Sequence, residues 1–371
     1  MTNNTFKMLV LLIGIILIIT VLVEFLINGD STESISLGLK RTNLTINNTD
    51  NTRLLNNYSI SMNVTYDTDM QTDFDDLRFF DNVIPLNYWL ESKSDSNWAY
   101  IWVNVSDIPA NSIKNISMNY GNSTAQSESN GTLAFLWYDD FEDGDISDWQ
   151  TTNSPIMNVN SSVAYEGNKS LWCANGTVVA ICWINITNYI GNTQQTILHY
   201  ATYETEFSGS NLYWMNKIPS ATTEAGIIDN SPFEFRWTAD NPYEPVITTK
   251  SANTWYKIEM MVNLSNNNAS ARINNTYYAN SNYNTSGFLN SFGIIQLRNR
   301  GASSKGHWDL MYARNYTYPE PTVSFGSEES LTTINVTDTH FKFPYLNQEQ
   351  SDLLGLIILF ILIASLILII L

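Results

Sequence analysis

The sequence predicts an all-β protein, two tandem β-sandwich modules of jelly-roll type flanked by N- and C-terminal transmembrane helices. Three observations lead there. Short runs of alternating apolar and polar residues, bounded by Asn, Gly, Ser and Asp, recur through the middle of the chain, and no sustained 3.6-residue apolar period interrupts them. Aromatic residues make up 13% of the 371 residues and charged residues only 15%, so the chain has material for a packed core, unlike a disordered acidic segment. Two uninterrupted apolar segments occupy the ends, each long enough to cross a bilayer.

Met8–Ile27 reads MLVLLIGIILIITVLVEFLI with one charge, Glu24. It is expected to be an uncleaved signal anchor within 1–28, a cleavable signal peptide being the alternative. Leu353–Leu371 has no charge and is apolar all round, as a second span should be. Lys7 precedes the first span, and Glu24, Asp30 and Glu33 end or follow it, which places the N-terminus in the cytoplasm and the loop between the spans outside. That loop carries 18 N-x-[ST] acceptors: Asn43, Asn47, Asn57, Asn63, Asn104, Asn115, Asn122, Asn130, Asn160, Asn168, Asn175, Asn185, Asn263, Asn268, Asn274, Asn284, Asn315 and Asn335. The number is roughly twice what the Asn and Ser/Thr content gives by chance, in keeping with a glycosylated exterior of a cell membrane or viral envelope.

The strand signals follow in order: Tyr58–Tyr66, Ala99–Ser106, Ile116–Gly121, Phe233–Thr238, Trp255–Leu264 and Gly293–Asn299. In AYIWVNVS, Ala99, Ile101, Val103 and Val105 share one face and Tyr100, Trp102 and Asn104 the other, a pattern that two packed sheets bury. Asn130–Gly131 and Asn175–Gly176 read as tight turns needing positive φ. The expected division is a linker at 29–56, a first module at 57–134, a second at 135–326 and a stalk at 327–352.

Lys and Arg total 18 against 36 Asp and Glu, for a formal net charge of −18. Such a balance repels phosphate backbones, which argues against nucleic acid as a partner.

The ordered strings DFDDLRFFD (Asp73–Asp81), LNYWLES (Leu86–Ser92), WAYIWVNVSDIPA (Trp98–Ala110) and ISMNYGNSTAQSESNG (Ile116–Gly131) resemble the domain-of-unknown-function family 2341 over about 57–137. That family implies no biochemical activity. It occurs in surface proteins, often directly before a concanavalin-like module. The second half opens with YDDFEDGDISDW (Tyr138–Trp149), continues through AYEGNKSLW (Ala164–Trp172) and closes with GHWDLMYARNYTYPEPTVSFGSEE (Gly306–Glu329). It resembles a concanavalin-like lectin/glucanase sandwich of laminin-G type, a fold that binds sugars, binds proteins, hydrolyses glycans or merely spaces other modules.

Asp139, Asp140, Glu142, Asp143, Asp145 and Asp148 crowd one stretch, a density that is either solvated as a turn or neutralised by a cation. The resemblance to sandwiches holding structural calcium between first and last strands implies Asp140, Glu142 and Asp309 as ligands. Glu204 and Glu206 are two apart, as paired glycosidase carboxylates can be, but Ser208 stands where the family-16 pattern needs a third acid. No Gly-x-Ser-x-Gly, His-Glu-x-x-His or Walker-type motif occurs, so no enzyme is expected and no catalytic residue is assigned, glycoside hydrolysis staying open. Cys173 and Cys182 flank the Asn175–Gly176 turn and form a disulfide or a pair of buried thiols. Trp214, Trp237 and Tyr243 are candidate sugar-stacking aromatics, with core positions the alternative. The expected function is adhesion or glycan recognition by a membrane-anchored surface glycoprotein of archaeal character. The rival is a structural envelope or archaeal-virus spike protein acting through protein contacts.

Overall fold

The computed structural model describes residues 39–152, 156–174, 180–185, 195–206, 211–216, 224–230, 234–238, 246–263, 268–280, 294–299, 305–331 and 357. The chain divides into one unit at Lys40–Glu329 and a second made of both ends, Met1–Leu39 with Ser330–Leu371. Both apolar segments lie outside the described residues except for Ile357. No helix among the described residues is long and apolar enough to cross a membrane.

The described residues of Lys40–Glu329 are all-β but for one short helix, and they form four antiparallel sheets. The first orders β23 (Thr322–Ser330), β1 (Lys40–Asn48), β7 (Ser112–Tyr120), β3 (Arg78–Asp81) and β4 (Ile84–Leu86). The second orders β2 (Leu55–Thr65), β6 (Trp98–Ile108) and β5 (Tyr88–Ser94). The third orders β10 (Ile156–Asn160), β11 (Ser170–Ala174), β22 (Lys305–Asn315), β13 (Gln195–Glu206), β18 (Tyr256–Asn263), β19 (Asn268–Ile273) and β20 (Thr276–Asn280), with β8 (Trp137–Asp139) on β22. The fourth orders β17 (Val246–Thr249), β16 (Glu234–Thr238), β15 (Glu224–Asn230), β14 (Asn211–Asn216), β21 (Ile294–Asn299), β12 (Ala180–Asn185) and β9 (Gln150–Thr152).

Alternation along single strands stacks the sheets. In β6, Ile101, Val103 and Val105 enter the core between the first two sheets with Leu44, Ile60, Phe79 and Met118, while Trp102 faces the other way. In β22, Trp308, Met311 and Ala313 enter the core between the third and fourth sheets with Leu198, Ile258, Phe235 and Leu297. Leu310 and Tyr312 instead join Trp89, Trp102, Phe135 and Ala134 in a third cluster between the second and third sheets. A register shift between His199 and Ala201 on β13, with Leu310 at φ 48, resets the alternation so that one strand serves both layers.

The first module therefore covers the outer face of the third sheet. Phe135 stacks on Tyr312 at 4.2 Å, and the Trp102 indole donates to Glu91 Oε2 at 2.6 Å, while Lys257 from the second module pairs with Glu91 Oε1. Asn104 Nδ2 donates to the Ala134 carbonyl at 3.1 Å, and Asn315 Nδ2 to the Asn56 carbonyl at 2.9 Å.

Three expectations need correction. Residues 40–48, placed in a linker, form β1 and pair along nine positions with β7, because Leu44 and Ile46 alternate into the core. The start of the expected stalk is β23, which runs to Ser330 at the edge of the first sheet, so chain beyond the second module returns to complete the first. Asn130–Gly131 is no positive-φ turn: Asn130 has φ −150 and caps the short helix α1 (Gly131–Ala134), its side chain accepting from Leu133 N.

Candidate functional site

The fourth sheet is the second layer of the second sandwich, facing the third across their shared core. Register sorts that sheet into rows. Leu297, Tyr213, Ile227 and Trp237 align across β21, β14, β15 and β16, and Leu297 lies in the core. The neighbouring register row is Trp183, Gln296, Trp214, Gly226 and Thr238. Trp214 and Trp237 thus stand in adjacent rows, one residue out of step. Tyr243 lies outside the described residues. Trp183, half-buried on β12, was not singled out in the sequence; only the pairing places it in one row with Trp214, Gln296 standing between them.

The acidic stretch after β8 holds a loop rather than a cluster. Glu142 Oε1 accepts from Asn168 N at 2.8 Å and Lys169 N at 2.7 Å. Asp309 Oδ2 accepts from Tyr165 N at 2.7 Å and Glu166 N at 3.2 Å, and its Oδ1 from Leu310 N at 2.7 Å. Gly167, at φ +63, lets the loop close, since a Cβ there would stand 2.4 Å from Glu142 Oε1. Asp140 accepts from the Tyr138 hydroxyl at 3.0 Å and from Glu142 N at 3.2 Å. Asp140, Glu142 and Asp309 do not converge on one point. Among the described residues, the acids whose oxygens lie within 4.8 Å of one another are Asp67, Asp69 and Glu328, and Lys40 bonds the latter two. Main-chain amides thus engage Glu142 Oε1 and both Asp309 oxygens, bonds that a calcium ion on the expected set would have to share or displace.

Burial raises Asp309 to about 7 despite those amide bonds, with Glu142 adding to the effect. Asp139 rises to about 7 for the same first reason, although it accepts from Trp149 Nε1 at 2.9 Å and Phe141 N at 3.0 Å. A polar cavity of about 310 Å³ opens beside this loop, lined by Trp89, Ser129, Asn130, Tyr138, Asp140 and Asp143 among others.

The cysteines do not sit across one hairpin. Cys173 on β11 pairs with strands of the third sheet and Cys182 on β12 with strands of the fourth, so a bridge would join two sheets. A second register shift against β22 lies between Glu204 and Glu206.

Residues 73–152 match the family described as "Domain of unknown function (DUF2341)". The match runs past Ala134 through β8 and β9. No curated protein matches the chain. Among solved structures, a sialidase is similar at 10% identity and a TM-score of 0.39, covering 59% of this chain; the match spans only 20% of the sialidase. A "Cellulose induced protein, Cip1" is similar at 11% identity and a TM-score of 0.38, over 48% of this chain and 97% of that one. The CBM22-2 xylan-binding domain from Paenibacillus barcinonensis Xyn10C is similar at 13% identity and a TM-score of 0.31, over 49% and 99%.

Proposed function

We propose that the chain is a membrane-anchored, N-glycosylated surface protein that recognises glycans on its fourth sheet. The feature that supports this reading is the Trp183–Gln296–Trp214–Gly226 register row of the fourth sheet, next to the row that holds the buried Leu297. Indoles and an amide in one row are the chemistry that sugar rings meet, apolar faces stacking and hydroxyls pairing. Membrane anchoring rests on the two apolar segments, and exterior placement on the sequons. Of those in the described residues, Asn43, Asn47, Asn57, Asn63, Asn115, Asn122, Asn130, Asn168, Asn185 and Asn274 are exposed.

The test is glycan-array binding by the full chain in lipid nanodiscs. Trp183→Ala and Trp214→Ala should each abolish binding while leaving Tm within a few degrees; unchanged binding by both removes the reading. A structural envelope role has one observation in its favour: Val83, Ile84 and Ile113 are 87%, 62% and 54% exposed, apolar groups that contacts with another protein would cover. Folded protein that binds no glycan but self-associates, and loses association on Val83→Asp, would favour that role.

A further inference from the structure

The connection between the two modules borders a cavity. Beyond β7 the chain is laid along β5: the Glu128 amide donates to the Tyr88 hydroxyl at 3.2 Å, the Leu90 amide to Ser129 Oγ at 2.8 Å, and the Asn130 amide to the Tyr88 carbonyl at 2.8 Å. α1 then leads into β8 and the acidic loop. Trp89 and residues 129–132 line one side of the cavity, and Tyr138, Asp139, Asp140 and Asp143 the other, around about 310 Å³. That volume is at the lower end of what small ligands occupy. Gly131 lets the two sides approach, because a Cβ on it would stand 2.4 Å from the Tyr138 ring.

The first side is itself a glycan acceptor, since Asn130, Gly131 and Thr132 all line the cavity. The Asn130 side chain is oriented through its oxygen, which accepts from Leu133 N at 3.1 Å, while its Nδ2 makes no hydrogen bond among the described residues. Asn104 and Asn315 differ, their Nδ2 atoms being engaged by main-chain carbonyls. Asn130 and Thr132 are both exposed, so the amide and the hydroxyl that a transferring enzyme must reach are accessible.

The second side calls for donors. A carboxylate only accepts, and its two oxygens offer about four lone-pair sites. Asp140 uses two, on the Tyr138 hydroxyl and Glu142 N, and Asp143 one, on Asp145 N at 2.8 Å. An anionic ligand would be repelled here, whereas a neutral, hydroxyl-rich one supplies the donors and finds the Ser129 and Thr132 hydroxyls for its own oxygens.

We infer that a glycan on Asn130 seats its first sugar in this cavity and so bridges the two modules. The inference rests on the N-glycosylated reading above and goes beyond it: the ligand is a neutral saccharide carried by the chain itself, joined covalently to one side and by hydrogen bonds to Asp140 and Asp143 on the other. Attachment makes the second contact intramolecular, at a high effective concentration, so weak bonds suffice.

The test uses the full chain in lipid nanodiscs, made in a host that glycosylates N-x-[ST] and in one that does not. Peptide mass spectrometry reads occupancy, and an amidase that cleaves the sugar–asparagine bond, applied to the folded protein, reads seating. Hydrogen bonds of this kind are worth about tenfold in an opening equilibrium, so release from Asn130 should be about tenfold slower than from the exposed Asn47 and Asn115. Asp143→Ala should bring release from Asn130 up to their rate with occupancy unchanged. Thr132→Val removes the acceptor and keeps the Asn130 cap; it should lower Tm by a few degrees against Thr132→Ser in the glycosylated protein, and the two should melt together without glycans. Slow release that survives Asp143→Ala overturns the contact across the cavity. Asn130 modified yet cleaved as fast as Asn47 and Asn115 overturns the inference, the cavity then standing open to a ligand from outside. Asn130 bare beside modified Asn47 and Asn115 overturns it too and leaves the glycosylated exterior standing. All three bare overturns the glycosylated reading, and the inference with it.

Discussion

Single carboxyls on this chain have opposite effects on stability from single histidines. Asp309, 1% exposed, and Asp139 are each held at about 7 by burial, against an unfolded value of 3.8. Between those values the folded state binds the extra proton, so their contribution is complete below about pH 4 and is lost as pH rises through 7. His307 is held at about 4 by burial, against 6.5 unfolded, so its contribution is present above pH 6.5 and lost as pH falls. The two effects oppose each other below pH 6.5, and above it only the carboxyls titrate. We expect Tm to fall by roughly 5 °C between pH 6.5 and 8 in chelator, measured by calorimetry. Asp309→Asn should flatten that fall. Millimolar calcium that raises Tm at pH 8 would show a cation binding here after all. Sequon occupancy is a second prediction at this scale. Asn104 and Asn315 use their amide nitrogens on main-chain carbonyls, so mass spectrometry should find them bare while the exposed Asn47 and Asn115 of the first sheet are modified.

Among the elements, β22 joins the layers. Its Met311 and Ala313 pack into one core, its Tyr312 lies between the modules, and Arg314 stacks over the Trp102 ring at 4.7 Å while pairing with Glu320 at 2.7 Å. The His199 ring, wholly buried, stacks on Tyr312 at 4.2 Å and accepts from Arg314 Nε at 3.0 Å. Its pKa is driven down by burial first and by Arg314 next. Because this layer is filled with aromatic rings, Trp102→Ala should cost about 3–5 kcal/mol. Leaving Glu91 buried without its partner, as in Lys257→Met, should cost about 3–5 kcal/mol. Each should split a single calorimetric transition into two, since the junction is what makes the modules melt together. A lone, merely lowered transition in both variants would mean the modules are coupled elsewhere.

For the whole molecule, the order of layers decides what is available. The second and third sheets meet through the cluster of Trp89, Trp102, Phe135 and Tyr312, and the proposed glycan-binding row lies on the fourth. Binding is therefore expected there, and insertion of a bulky tag between residues 239 and 245, which link β16 to β17, should reduce glycan binding more than a tag at Val83. Array binding with both insertions checks this, and equal loss from both would count against the fourth sheet.

The local alternation of AYIWVNVS was enough to put Ile101 and Val105 on one face and Trp102 on the other, and the all-β class followed from many such runs, because the two-residue period is a property of the strand itself. The order of strings from Asp73 onward likewise pointed to family 2341, whose description matches residues 73–152. Which strand pairs with which was not legible, since pairing is a long-range contact that no local pattern encodes. Hence β1 fell within the expected linker and the end of β23 within the expected stalk, though β1 pairs with β7 on one side and with β23, from the far end of the chain, on the other. The same reason separates Trp214 from Trp237: composition makes both aromatic candidates, but register alone puts one in the row of Leu297 and the other in the row of Trp183. The acidic loop shows the limit most clearly. Residue type made Glu142 and Asp309 plausible ligands, and only the folded loop decided that main-chain amides reach them, because a backbone N–H has no signature in the sequence.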